Sequence, residues 1–508
     1  MRSAHHLELG RPLAKLRPDV GPHPELAELS AMDLSRLLAR DELTSVDLVE
    51  MSLARIGALD EGKTRAVIEL NPDALDIARR SDRERRGGRV RGQLHGLPAL
   101  VKDNVDTGDR MLTTAGSLAM TGAPAGRDAA LVARLRRAGV VLLGKTNLSE
   151  WANARSNRSA SGWSGRGRQT RNPHALDRSP SGSSSGSGVA AAAGYAAITI
   201  GTETDGSIVS PSSANGIVGM KPGVGVVSQS GIIPIAASQD AAGPMVRSVE
   251  DAASVLGTIA ARPVDYSRAL RKGALRGRRI GVLHDPFTGY SEHTDACYDA
   301  ALRALKDCGA TLVDVGLATA IELRESRVER AILLHELKDG LNRYLAGRRG
   351  LAVKTLADVI RWNRRHAAEE MPYFRQEFIE MAQKTRGLDA REYRDARKSA
   401  IRLARTEGID ATMRKHRVAA LVAPSGAPAW MIDPVDGDKF LGSSTQASAV
   451  AGYPIITVPA GFVFGLPVGL SFFADAGSEA RLLGFAYAFE QATHARRVPE
   501  FLPAVSLP

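Results

Sequence analysis

Residues 181–208 read Ser181-Gly182-Ser183-Ser184-Ser185-Gly186-Ser187-Gly188-Val189, an alanine-rich run from Ala190 to Ala197, then Ile198-Thr199-Ile200-Gly201-Thr202-Glu203-Thr204-Asp205-Gly206-Ser207-Ile208. No other part of the chain concentrates so much small, polar backbone. Small residues let main chain approach a ligand closely, glycine tolerates positive φ, and serine hydroxyls attack carbonyls or relay protons. Val189 to Ala197 reads as a small apolar helix, and Ile198-Thr199-Ile200 as a short buried strand ending at Gly201. The run therefore feeds a core element and is not a flexible Ser/Gly linker.

Gly182-Ser183-Ser184-Ser185-Gly186 matches G-x-S-x-G, yet a nucleophile elbow needs a buried strand leading into it. The preceding residues 169–180 are polar and carry Pro173 and Pro180, with no apolar alternation. A phosphate cradle fits no better, because the glycine spacing is neither G-x-G-x-x-G nor G-x-x-x-x-G-K-[ST].

Further stretches complete a pattern. Gly96-Leu97-Pro98-Ala99-Leu100-Val101-Lys102-Asp103-Asn104 lies upstream; Gly219-Met220-Lys221-Pro222, Gln239-Asp240-Ala241-Ala242-Gly243-Pro244-Met245 and Gly452-Tyr453-Pro454 lie downstream. Together with residues 181–208 they resemble the amidase signature family in correct order, over roughly residues 27–500. The turn Thr202 to Val209 is most similar to that of the peptide amidase branch. The resemblance implies a single α/β domain in which a large mixed sheet is covered by helices on both sides. It also implies a Ser-Ser-Lys arrangement with Ser207 as nucleophile, Ser183 as bridging serine after a cis peptide bond, and Lys102 as base. Ser184 is implied to support the network. Main-chain N–H groups of Thr204, Asp205, Gly206 and Ser207 are implied to face the oxyanion of the tetrahedral intermediate.

The residues agree with these roles. An ordinary lysine is a poor base at neutral pH, but burial disfavours its charged form. Leu97 to Val101 is apolar enough for a strand to carry Lys102 inward, with Asp103 on the opposite face by alternation. Two departures from the family pattern stand out. Ser181 replaces the first of the usual two glycines, which is tolerable if its backbone does not need positive φ. Val209 stands where many members, including the A-type component of glutamyl-tRNA amidotransferase, carry arginine, which argues against glutamine amidotransfer.

The chain has 508 residues, 44% hydrophobic and 24% charged, the balance of a soluble globular protein. Residues 1–26 form an N-terminal extension without a signal-peptide run, and 501–508 a C-terminal tail. No stretch of about 18 apolar residues marks a membrane span. Cys297 and Cys308 sit in one helix-like segment, too far apart to bridge, so both are expected reduced in a cytoplasmic protein. The net charge is +11, and Arg155, Arg158, Arg166, Arg168 and Arg171 string along the loop before the serine run. Lacking interleaved aromatics apart from Trp163, they read as a solvated basic surface and not a nucleic-acid site.

Helices are expected within Ser30–Leu59, with Thr44 and Asp47 as a capping box, and at Glu479–Thr493. Strands are expected at 64–70, at the end of 131–144, at Arg279–Leu283, Ala419–Ala423 and Ile455–Pro459. Residues 266–417 are more helical, and the family resemblance implies that they form the wall over the substrate; with Trp163 and Trp430 they are expected to set specificity, although packing roles suit both tryptophans. His335-Glu336 has Asp339 where a zincin needs histidine, and no C-x-x-C occurs, so neither metal nor cofactor is expected. The function expected is hydrolysis of linear carboxamides, in particular C-terminal peptide amides, by a monomer or homodimer. The alternatives are an amide, ester or hydrazide hydrolase of small or aromatic substrates, and a partner-dependent amidotransferase component of the A type.

Overall fold

In the computed structural model, residues 22–505 are described. Eleven strands form one mixed sheet: β1 (Val67–Leu70), β2 (Pro98–Lys102), β3 (Val141–Thr146), β6 (Ile198–Glu203), β7 (Val218–Lys221), β8 (Ala241–Val246), β9 (Arg279–Leu283), β10 (Thr311–Val315), β11 (Ala420–Pro424), β12 (Ile455–Val463) and β13 (Leu466–Phe473). Their order is β1-β3-β2-β6-β8-β7-β12-β13-β11-β9-β10. A separate two-residue hairpin pairs β4 (Trp163–Ser164) with β5 (Arg168–Gln169). Strand β2 runs parallel to both β3 and β6, whereas β6, β8, β7, β12 and β13 pair antiparallel in turn. Every residue of β2, β3, β6, β7, β8, β11 and β13 is buried. Helices therefore cover both faces, as the family resemblance implies.

Local chemistry starts several of those helices. Ser30 and Asp33, Thr44 and Asp47, and Thr355 and Asp358 each form a complete capping box. Three expectations need correction. The helix after the serine run begins at Ser185, four residues before Val189, and ends at Ala193, where Gly194 turns with φ 72°. Ser and Gly at its start disfavour a helix by propensity, but no larger residue fits: a Cβ on Gly186 would lie 2.3 Å from Ala66 O. Strand β6 does not stop at Gly201 but continues to Glu203, its edge partners running from Met245 to Ala241. Strands β7, β8, β10 and β13 lie outside the expected set; Gly219, Gly243, Pro244, Pro467 and Gly469 interrupt the apolar runs of β7, β8 and β13.

The arginine-rich loop is only partly solvated. Arg155 is fully buried, donating to Glu150 at 2.9 Å and lying 4.2 Å over the Phe374 ring. Arg166 is half-buried and bonds Glu69, while Arg158, Arg168 and Arg171 are exposed. Both cysteines are free; Cys297 lies in the helix Glu292–Asp307 and Cys308 at its C-cap. At the ends of the described chain, Leu26 is buried and Phe501 N–H donates to Pro173 O at 2.9 Å. Residues 1–21 of the expected N-terminal extension and 506–508 of the expected tail lie outside the described residues. Among the described residues, no helix is long and apolar enough to cross a membrane.

Candidate active site

Strand β2 delivers Lys102 at its last position, and the parallel neighbour β6 brings Thr202 alongside. The segment before the helix Ser185–Ala193 supplies Ser183 and Ser184, with the Gly182–Ser183 peptide cis. Lys102 Nζ is wholly buried and lies 2.8 Å from Ser183 Oγ, 2.9 Å from Ser184 Oγ, 3.0 Å from Thr202 Oγ1 and 3.2 Å from Thr202 O. Among the described residues no carboxylate lies within ion-pairing distance of it. Burial pulls its pKa from 10.5 to about 7, against the weaker opposing pull of Glu203 and Asp240. Asp103, on the opposite side of the strand end, instead accepts from Thr114 Oγ1 and faces Arg166 at 3.5 Å.

Close packing holds this arrangement. Ser184 Oγ donates to Thr202 O at 2.9 Å and accepts from Thr202 N at 3.2 Å, tying the serine segment to β6. A Cβ on Gly201 would meet Met245 Sδ at 2.4 Å and Ser184 Oγ at 2.9 Å. Asn104 Nδ2 adds a donor to Thr202 Oγ1 at 3.0 Å.

Ser207 enters through the turn that follows β6. Its carbonyl accepts from Ser184 N–H at 3.2 Å. Its hydroxyl makes no hydrogen bond among the described residues and opens on a cleft of about 660 Å³. Gly182, Thr204, Asp205 and Gly206 line the same cleft, and the Ser184 N–H to Ser207 O bond joins it to Ser183, Ser184 and Lys102 behind it, so the candidate catalytic residues are neighbours. Gly206 takes φ 77°, which turns the chain there and leaves the approach to its N–H free of a side chain. Glu203 Oε2 accepts from Ile208 N at 2.7 Å and Val209 N at 2.9 Å, holding the far side of the turn.

Several contributors were not singled out from the sequence. Thr445 Oγ1 donates to Asp205 Oδ1 at 2.6 Å, and Thr204 Oγ1 to Asp240 Oδ1 at 2.6 Å. Burial, followed by the neighbouring Glu329, holds the Asp205 carboxyl well above the usual carboxylate range. Burial pushes Asp240 up to about 6. Asp240 and Asn104 stood inside stretches quoted for the resemblance, whereas Thr445 and Glu329 come from distant segments with no motif around them. Of the two tryptophans, Trp430 lines the cleft and donates through Nε1 to Asp438 at 2.9 Å. Trp163 packs at 5.2 Å edge-on against Phe374, outside the cleft. The condition placed on Ser181 fails: it sits at φ 60°, in the left-handed region where glycine is favoured.

The family model described as amidase matches residues 47–483. A probable amidase of Arabidopsis thaliana is 37% identical over 500 residues, covering 94% of this chain and 92% of that protein. The structure of native peptide amidase from Stenotrophomonas maltophilia superposes with a TM-score of 0.90 at 50% identity, over 94% of this chain and 100% of that one. The A-type component of the glutamyl-tRNA(Gln) amidotransferase of Heliobacterium modesticaldum is 32% identical over 482 residues, covering 91% of this chain and 96% of that protein. With a family match across most of its length and relatives at these identities, the chain belongs to the amidase signature family and is an amidase, a hydrolase of amide carbon–nitrogen bonds.

Proposed function

We propose that the protein hydrolyses linear carboxamides, with C-terminal peptide amides as its substrates, through a triad of Ser207, Ser183 and Lys102. The observation that carries this reading is the environment of Lys102, a wholly buried amine surrounded by hydroxyls and a carbonyl and drawn to a pKa of about 7. There the neutral amine is available at physiological pH to take a proton.

The hydrogen bonds give the relay a direction. Ser184 Oγ–H is committed to Thr202 O, and Thr202 Oγ1 already accepts from Asn104. Neutral Lys102 therefore donates one N–H to Ser184 Oγ and the other to Thr202, whose carbonyl at 3.2 Å only accepts. The lysine lone pair is left for the Ser183 hydroxyl, 2.8 Å away. Ser207 Oγ attacks the amide carbon while its proton passes to Ser183, whose own proton passes to Lys102. Main-chain N–H groups of the Thr204–Ser207 turn receive the oxyanion. Collapse breaks the C–N bond, and the proton returns from Lys102 through Ser183 to the leaving nitrogen, releasing ammonia. Water then attacks the Ser207 ester by the same relay and frees the acid. No cofactor takes part, and two free cysteines agree with a cytoplasmic setting.

The peptide amide preference is supported by the 50% identical peptide amidase structure and by a cleft of about 660 Å³ rimmed with Trp430, Phe440 and Leu441. Val209, where A-type amidotransferase components carry arginine, weighs against glutamine amidotransfer despite relatives of that name. The test is ammonia release from a C-terminally amidated dipeptide beside a simple aryl amide, with Ser207→Ala as the blank. Release mainly from the dipeptide is expected. Release only from the aryl amide keeps the chemistry and refutes the peptide substrate, and full activity in folded Ser207→Ala refutes the nucleophile.

A further inference from the structure

A second groove, of about 910 Å³, lies across a thin wall from the catalytic cleft. Ala160 lines the groove and Ser161 the cleft; Met431 lines the groove and Trp430 the cleft. The wall is held by Asp438, which accepts from Ser161 N at 3.0 Å, Ser161 Oγ at 2.5 Å and Trp430 Nε1 at 2.9 Å. Trp430 O in turn accepts from Ser179 N at 2.7 Å, and Asp177 O from Ile432 N at 3.0 Å. The groove floor is apolar and aromatic: Trp163, Pro372, Tyr373 and Met431, with Tyr373 and Met431 each 55% exposed.

Basic side chains edge this groove. Arg65, Arg168 and Arg171 line it and are exposed. Among the described residues none of the three has a carboxylate within 4.0 Å; Arg168 Nη1 donates to the Glu369 carbonyl at 3.3 Å. Its two carboxylates are Asp177, which faces Arg178 at 3.5 Å, and the exposed Glu369. Of the basic run, Arg168 and Arg171 line this groove and Arg158 does not. An apolar, aromatic floor edged by unpaired guanidinium groups suits a peptide carrying carboxylates, because the aromatic rings hold its stem and the arginines bind carboxylate bidentately.

We propose that this groove is a distal subsite for the chain that precedes the scissile amide, and that it selects peptide amides with acidic residues several positions upstream. The inference rests on the peptide amidase reading above. Continuity with the cleft supplies the occupant: a peptide whose C-terminal amide reaches Ser207 leaves the cleft past Trp430 and Asp438, and those residues are the wall of the groove. Each further residue carries an extended peptide about 3.3 Å onward, so substrate length reads the separation directly.

The experiment compares kcat/KM for a dipeptide amide with the same dipeptide amide extended upstream by two or four glutamates, or by two or four lysines. The glutamate series is expected to exceed the lysine series by about fivefold to tenfold, the scale of two partly exposed charge pairs, and to lose that margin as ionic strength rises. In Arg168→Glu/Arg171→Glu protein the ratio of glutamate-extended to lysine-extended substrate is expected to reverse. Because the ratio is taken within one protein, partial unfolding of the variant cancels. Turnover of the dipeptide amide with equal kcat/KM for both extensions overturns the subsite and leaves the parent reading intact. No turnover of any peptide amide overturns the parent reading itself.

Discussion

A lysine in a wholly apolar enclosure would be neutral and inert, and in water it would be charged and unable to accept a proton. Lys102 lies between these limits because its shell is made of hydroxyls and a carbonyl, which solvate the amine without pairing its charge. A pKa of about 7 in place of 10.5 means that charging it there costs on the order of 5 kcal/mol more than in water. Lys102→Ala is expected to lower kcat by about 10²–10⁴, the usual worth of a general base. Wild-type kcat is expected to climb tenfold per pH unit below about 7 and to level off above it. A profile flat from pH 5 to 9, followed by ammonia release, refutes the lysine base. Ser181 offers a separate test at the same scale. Its φ of 60° costs a non-glycine residue roughly 1–2 kcal/mol; the side-chain bonds it makes, its N–H to Ser179 Oγ at 3.1 Å and its carbonyl from Ser185 Oγ at 2.7 Å, use backbone atoms that glycine keeps. Ser181→Gly is therefore expected to raise stability by about 1 kcal/mol in denaturant titration; an unchanged or lower midpoint refutes the strain.

At the scale of elements, the turn between β6 and the helix Val209–Ala214 is held from behind by one side chain. Glu203 accepts both Ile208 N–H and Val209 N–H through Oε2, and its field opposes the burial of Lys221, whose Nζ has no hydrogen-bond partner among the described residues. Removing the carboxylate leaves two N–H groups without their acceptor and takes from the buried Lys221 amine the largest of the three carboxylate fields on it, those of Asp205 and Glu479 remaining. Glu203→Ala is expected to cost about 3–5 kcal/mol in thermal unfolding. Loss of register in the turn is expected to lower kcat more than KM. Stability within about 0.5 kcal/mol of wild type would show that the turn does not depend on this residue.

At the scale of the molecule, the eleven-stranded sheet is the frame on which β2 and β6 set their two contributions side by side. Phe472, wholly buried on β13 against Phe489, belongs to the core that spans this frame, and Phe472→Ala is expected to cost about 3–5 kcal/mol. The pH dependence of stability carries the signature of Lys102. Its folded pKa lies below its unfolded value, so between about 7 and 10.5 the unfolded chain binds the extra proton, and stability rises with pH across that window. Below about 7 both states are protonated and the penalty is present in full. The Tm of wild type minus that of Lys102→Met is expected to increase from pH 7 to 10; a constant difference refutes the depressed pKa.

The residues of the proposed site stand out in the sequence because their chemistry is local. Gly182-Ser183-Ser184 and Thr204 to Ser207 are short runs in which small side chains and hydroxyls have little structural use elsewhere, and Lys102 ends an apolar strand that shows its direction inward. Motif order also carried the fold class. Edges and partners were another matter. Strands β7, β8 and β13 hold glycine or proline where local pattern argues against a strand, and they exist because neighbouring strands satisfy their backbone bonds. Ser181 adopts a left-handed backbone that nothing beside it in sequence demands. Arg155 looks like its exposed neighbours, yet it is buried against Glu150 and Phe374. Sequence by itself determined which side chains are candidates to react, since that depends on residue type and immediate surroundings. Only the tertiary structure decided how far Lys102 is dehydrated, which carboxylates face Thr204 and Asp205, and which arginines are left without a carboxylate partner beside the cleft, because desolvation and pairing are set by segments far apart along the chain.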